Sequence, residues 1–131
     1  MSDTSKMCFV FGSNLAGIHG AGAARFAEAV HGAVRGQGLG HHGNSYALPT
    51  KDRRIQTMST TAIRIFVGDF MKYARANPTL TFQVTQIGCG LAGYTAQQIA
   101  PMFREAPINC QFDLAWKPFL GDGFTYWGHI A

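Results

Sequence analysis

Leu80-Thr81-Phe82-Gln83-Val84-Thr85-Gln86-Ile87-Gly88-Cys89-Gly90-Leu91-Ala92-Gly93-Tyr94 is the stretch whose reading decides the fold. Its apolar-rich first half, Leu80 to Ile87, reads as a buried strand. Three glycines, Gly88, Gly90 and Gly93, then fall within six positions. Amphipathic spacing resumes with Ile99, Met102 and Phe103, which predicts a helix over Thr95 to Arg104 with Thr95 as its N-cap. Strand, glycine loop and helix in that order suit phosphate binding. Glycine has no Cβ and lets backbone N–H groups approach an anion, and the helix N-terminus adds a favourable dipole. A tight turn whose glycines serve only close packing fits the same residues equally well.

Working outward, Met7 to Phe11 reads as a buried strand bounded by Gly12-Ser13-Asn14. A helix follows from about Gly22 to Val34, with Ala23, Phe26, Ala27, Val30 and Val34 as its apolar face. Gly36 to Gly43 reads as a loop. Ser45 to Pro49 is a second strand, and Thr50 to Ser59 a polar loop. The clearest helix starts at Ser59 or Thr60 and stops before Asn77-Pro78. Ile63, Phe66, Val67, Phe70, Met71 and Ala74 lie at helical spacing on it, and the first, second, third and fourth of these are expected in the core. Asn109 to Trp116 supplies a last strand. Such alternation predicts an α/β protein, with a mixed, mostly parallel sheet and helices on both faces. Ligands in such sheets sit at the carboxyl ends of strands, where both glycine loops fall.

The 131 residues suit one compact domain, residues 1–131, with residues 117–131 as an aromatic-rich C-terminal extension. Its Phe119, Phe124, Tyr126 and Trp127 read first as a cap on the core or a dimer contact, and second as a wall for a ligand base. The net charge of +4 comes from scattered basic residues, and only Lys51-Asp52-Arg53-Arg54 clusters. A small anionic ligand fits this better than a nucleic acid, because no basic stripe with interleaved aromatics is present. No apolar run nears the roughly 20 residues that span a bilayer, so no membrane partner is expected. The polar start, Met1 to Lys6, carries no leader signal, which by default implies the cytoplasm. Cys8, Cys89 and Cys110 are too few and too scattered for a disulfide framework or a zinc site. Cys89 lies near a predicted helix start, but no base for it is visible.

The loop Gly12 to Ala24 joins the first strand to the first helix but lacks dinucleotide spacing, since Arg25 stands where a third small residue belongs. Nor does an acid end a second strand about 20 residues on, which disfavours a nicotinamide oxidoreductase. Gly38 to Gly43 does match GxGxxG, but between a helix and a strand, which is the wrong order. Adjacent His41 and His42 seldom chelate one ion, and no metal or cofactor is expected. His19, inside the first glycine loop, could bond a phosphate or shuttle a proton. Lys51, closing the second strand, could pair with phosphate or attack a sugar aldehyde carbon.

Together, Asn14 to Ala24 with Gly20-Ala21-Gly22, Tyr46-Ala47-Leu48-Pro49-Thr50-Lys51, and Ile87-Gly88-Cys89-Gly90-Leu91 resemble the macro domain superfamily. The likeness is nearest to its terminal ADP-ribose protein glycohydrolase branch. The resemblance implies a three-layer α/β/α fold and binding of ADP-ribose or a related nucleotide, free or on an ADP-ribosylated macromolecule. It assigns ligand binding to Gly12, Ser13, Asn14, Gly20, Ala21, Gly22, Gly88, Cys89, Gly90, Leu91, Ala92, Gly93 and Tyr94. Lys51 matches that branch's nucleophile, and Asn14 an asparagine near the distal ribose. Two departures stand out. Ala92 occupies the place of the branch's acid, for which Asp52 is the available substitute. The chain also starts almost at the strand that follows the family's adenine-recognising Gly-Asp.

Two readings follow. One is a hydrolase of an ADP-ribosyl bond, using Lys51 with Asp52 or His19. The other is a module that senses or sequesters a nucleotide. A nucleic-acid binder using Arg53 and Arg54 is a distant third.

Overall fold

A computed structural model describes Lys6 to Ile130; all but one residue of the polar start from which no leader was expected lies outside that range. Six strands form one mixed, mostly parallel sheet in the order β2-β3-β1-β4-β5-β6. They are β1 (Met7–Asn14), β2 (Gly40–His42), β3 (Ser45–Lys51), β4 (Thr81–Val84), β5 (Cys110–Asp113) and β6 (Thr125–Gly128). Only β2 runs antiparallel, against β3. The helices are α1 (Gly22–Val30), α2 (Thr60–Ala76), α3 (Ala96–Ile99) and α4 (Lys117–Leu120).

Residues of β1 alternate between two apolar clusters, as a pleated strand requires when both faces are covered. Cys8 and Val10 join Ile63, Val67, Phe70 and Ala74 of α2 in the larger cluster. Phe9 and Phe11 join Ala27 of α1 in the smaller one. Phe70 anchors the larger cluster, with ring centroids 5.0 Å from Tyr46, 5.3 Å from Phe82 and 6.2 Å from Phe103. Ser59 caps α2 as expected, accepting from the Ala62 N–H.

Several sequence expectations need correction. Phe66 is only half-buried, on the shoulder of α2, so truncating it costs less than the roughly 3–5 kcal/mol of a buried phenylalanine. Helix α1 ends at Val30, four residues early, because the chain turns at Gly32 (φ 79°), whose Cα lies against the Gly43 backbone. Its expected apolar face is mostly in solvent: Phe26, Val30 and Val34 are exposed and Ala27 alone of α1 is buried. The expected strand over Leu80–Ile87 is ladder-bonded only from Thr81 to Val84, and Thr85 begins the turn. The expected loop Gly36–Gly43 contains the edge strand β2. The helix expected over Thr95–Arg104 is α3 followed by a 3-10 turn at Ala100–Phe103. The strand expected over Asn109–Trp116 stops at Asp113, where a 3-10 turn begins.

The C-terminal segment supplies α4 and the sixth strand. β6 pairs parallel with β5, Phe124 meets Phe112 edge-on at 5.6 Å, and the Trp127 indole N–H donates to the Val84 carbonyl at 2.9 Å. Its aromatics therefore complete the sheet and the core rather than line a ligand wall.

Candidate functional site

The carboxyl ends of β1, β3 and β4 open into a cleft of about 610 Å³. That volume suits a medium-sized organic ligand. β1 and β3 are neighbours with Asn14 opposite Lys51, after a bulge at Ser13/Asn14. The two glycine loops meet here: a Cβ at Gly12 would stand 3.5 Å from the Gly88 nitrogen.

Of the residues read from the sequence, Gly12, Ser13, Asn14, Gly20, Ala21, Gly22, Lys51, Gly88, Cys89, Gly90, Leu91 and Ala92 line the cleft. His19, Asp52, Gly93 and Tyr94 do not. His19 is buried behind the first loop, donates Nε2–H to the Val34 carbonyl at 3.1 Å and meets Phe11 edge-on. Its Nδ1 has no partner among the described residues. Asp52 folds its own turn, Oδ1 accepting from the N–H groups of Arg54 (2.8 Å) and Gln56 (3.0 Å). Tyr94 braces the second loop by donating its hydroxyl to the Met58 carbonyl at 2.6 Å. Asn14 closes the first loop with both amide atoms, donating to the Ile18 carbonyl and accepting from the Ile18 N–H. Of the paired histidines, His41 shares a hydrogen bond with the Tyr73 hydroxyl, and His42 with the Leu39 carbonyl.

The first loop delivers an uncapped helix to the cleft. Ala21, the N-cap of α1, is extended (φ −155°) and offers no side-chain acceptor, and the first turn carries no acid. Gly22, Ala23 and Ala24 line the cleft directly behind it. Their first-turn N–H groups and the positive end of the dipole therefore face open space, which is the electrostatic setting for an anion.

The second loop works differently. Helix α3 has four residues, and a capping box closes its N-terminus: Thr95 Oγ1 accepts from Gln98 N–H, and Gln98 Oε1 from Thr95 N–H. No helix dipole reaches the cleft from this side, contrary to the expectation from the sequence. What the loop does offer is backbone: among the described residues, the N–H groups of Gly88, Gly90, Leu91 and Ala92 donate to no backbone carbonyl. A Cβ at Gly90 would meet nothing within 4 Å, so this position faces free space.

Comparison with family models, with curated proteins and with solved structures finds no match to this chain. Among the described residues, the lining of the cleft contains one charged side chain, Lys51, and no carboxylate. The Lys51 ammonium makes no hydrogen bond or ion pair among the described residues. Burial pushes the Cys89 thiol up to about 11, with a smaller opposing effect of Trp116, so this sulfur is a thiol and a poor nucleophile near neutrality.

Sequence reasoning missed Ile18, Ala23, Ala24, Thr50, Ile55, Thr85, Gln86 and Ile130 as site residues. Thr50 and Thr85 lie at strand ends, a position that could have flagged them. Their hydroxyls donate to the Ser13 and Val10 carbonyls and hold the cleft floor together. Ile55 has φ 60°, the left-handed region that β-branched residues avoid, and nothing in its sequence context announces this. The strain is held by the turn that Asp52 ties and by the Lys51–Thr57 bridge.

Proposed function

We propose that the cleft binds ADP-ribose or a closely related NAD-derived nucleotide, with its pyrophosphate at the N-terminus of α1 under the second glycine loop. The observation that carries the reading is the uncapped, acid-free start of α1 opening on a cleft whose sole charged lining side chain among the described residues is a lysine. The likeness of three sequence blocks to the macro domain superfamily supports it, and a three-layer α/β/α arrangement of that kind belongs to the same proposal. The ligand is met free or attached to an ADP-ribosylated macromolecule, in the cytoplasm.

Binding without turnover is the favoured form of this reading. Ala92 supplies no acid, and the Asp52 carboxylate is engaged in its own turn outside the cleft. Hydrolysis of an ADP-ribosyl bond is the second form, favoured by one observation: the unpaired Lys51 ammonium beside the loops. The two forms separate on Lys51 variants. Arginine keeps the charge but not a nucleophile, because guanidinium stays protonated. In the binding form, Lys51→Arg retains most of the affinity for ADP-ribose in calorimetry, and no substrate is turned over. In the catalytic form, turnover exists in the parent, vanishes in both Lys51→Arg and Lys51→Ala, and borohydride traps an adduct. Absence of heat with ADP-ribose, ADP and related dinucleotides refutes both forms.

A further inference from the structure

Asp113 is fully buried at the end of β5, and both its oxygens are committed to neighbouring backbone and to the segment after β6. Oδ1 accepts from the Ala115 N–H at 2.8 Å and from His129 Nδ1 at 2.9 Å, and Oδ2 accepts from the Ile130 N–H at 3.0 Å. Two further bonds fix the same segment: Trp127 Nε1–H to the Val84 carbonyl, and Gln86 Nε2–H to the Ile130 carbonyl at 3.1 Å. Ile130 is thereby set into the lining of the cleft and, like Ala23 and Ala24 of the first turn of α1, packs against the smaller apolar cluster.

The two sides of the cleft differ in chemistry. Lys51 ends β3, on one side of β1. Gln86 follows β4, on the other side, and holds Ile130 there. An anion at the start of α1 lies between a cationic side and an uncharged side of aliphatic and amide groups. We propose that Ile130, carried by the segment Trp127–Ile130, is the base-side wall of the cleft: its side chain is the apolar platform for the planar base of the nucleotide, and Asp113 is the positioning residue that latches it there. This inference rests on the nucleotide reading above and adds to it the side on which the base sits and the element that selects it. A buried carboxylate stripped of its donors is costly, so the latch holds the segment in place in the folded protein.

The test compares ADP-ribose with inorganic pyrophosphate, which has no base. Both are titrated into the parent, Ile130→Ala and Asp113→Asn. An asparagine offers one acceptor oxygen where the carboxylate offered two. The ratio of ADP-ribose affinity to pyrophosphate affinity is expected to fall at least tenfold in both variants. A ratio unchanged in Ile130→Ala overturns the wall, while binding by the parent leaves the nucleotide reading standing. Failure of the parent to bind ADP-ribose overturns the nucleotide reading and the wall with it. Should Asp113→Asn not fold, amide exchange on the parent decides. Slower exchange at His129 and Ile130 with ADP-ribose, and not with pyrophosphate, supports the wall; no effect of ADP-ribose overturns it.

Discussion

The two glycine loops look alike in sequence and differ in what they do. Each follows a strand, carries three or more glycines and leads into a helix. The first opens a nine-residue helix whose N-terminus has no cap and faces the cleft. The second opens a four-residue helix closed by its own capping box, and its glycines only bring backbone over the cleft. Glycine content thus marks where the backbone comes close, while the identity of the N-cap decides whether a helix dipole is left for a ligand.

Within the second loop the glycines themselves divide into folding and binding positions, and substitution separates them. Gly88 has φ 75°, and a Cβ there would stand 3.3 Å from Ile99 Cγ1. Gly88→Val should lose about 2–5 kcal/mol of stability from backbone strain and overpacking together, measured by urea unfolding. Gly90 faces open space, so Gly90→Val should change stability by no more than about 0.5 kcal/mol yet abolish ADP-ribose heat in calorimetry. Equal stabilities for the two variants would remove the distinction.

Titration with base probes the packing of the core that carries both loops. Burial pushes Cys8 and Cys110 up to about 12, Cys89 to about 11, and Tyr46, with a smaller push from Asp69, to about 12. The folded state therefore holds these protons more tightly than the unfolded chain. Their contribution to stability is fully present below about pH 8.5, the ordinary cysteine value, and is lost as pH rises toward 11 and 12. Urea midpoints should be insensitive to these groups up to that pH and fall steeply beyond it. Iodoacetamide at pH 8 should label the folded protein much more slowly than the unfolded one.

Much of this was legible in the sequence where the apolar pattern was dense. β1, β3 and α2 were readable because their buried residues follow the period of the element, from Cys8 to Phe11 and from Ile63 to Ala74. The cleft-lining glycines were readable because few other residues make such turns. Phe66 and the outer face of α1 misled because spacing reports an apolar stripe but not how wide the covering layer is. β6 was invisible because four residues form a strand only through pairing with β5. Ile130 reaches the cleft through bonds to Gln86 and Asp113, which are 44 and 17 residues away. Thr95 and Gln98 did carry a signal, the Thr-x-x-Gln spacing of a capping box, which predicts the closed end of α3.

The contrast between the loops reduces to one residue, Ala21. Its extended backbone already suits an N-cap, and an aspartate there would accept from the first-turn N–H groups now left to the cleft. Calorimetric titration of ADP-ribose into parent and Ala21→Asp, with thermal unfolding of both, tests the central claim most directly. The account predicts that the variant gains about 1 kcal/mol, roughly 3–5 °C in Tm, and loses ADP-ribose binding, because its carboxylate occupies and repels at the anion position. A variant that binds ADP-ribose as the parent does would contradict it, since the start of α1 would then not be where the ligand's charge sits.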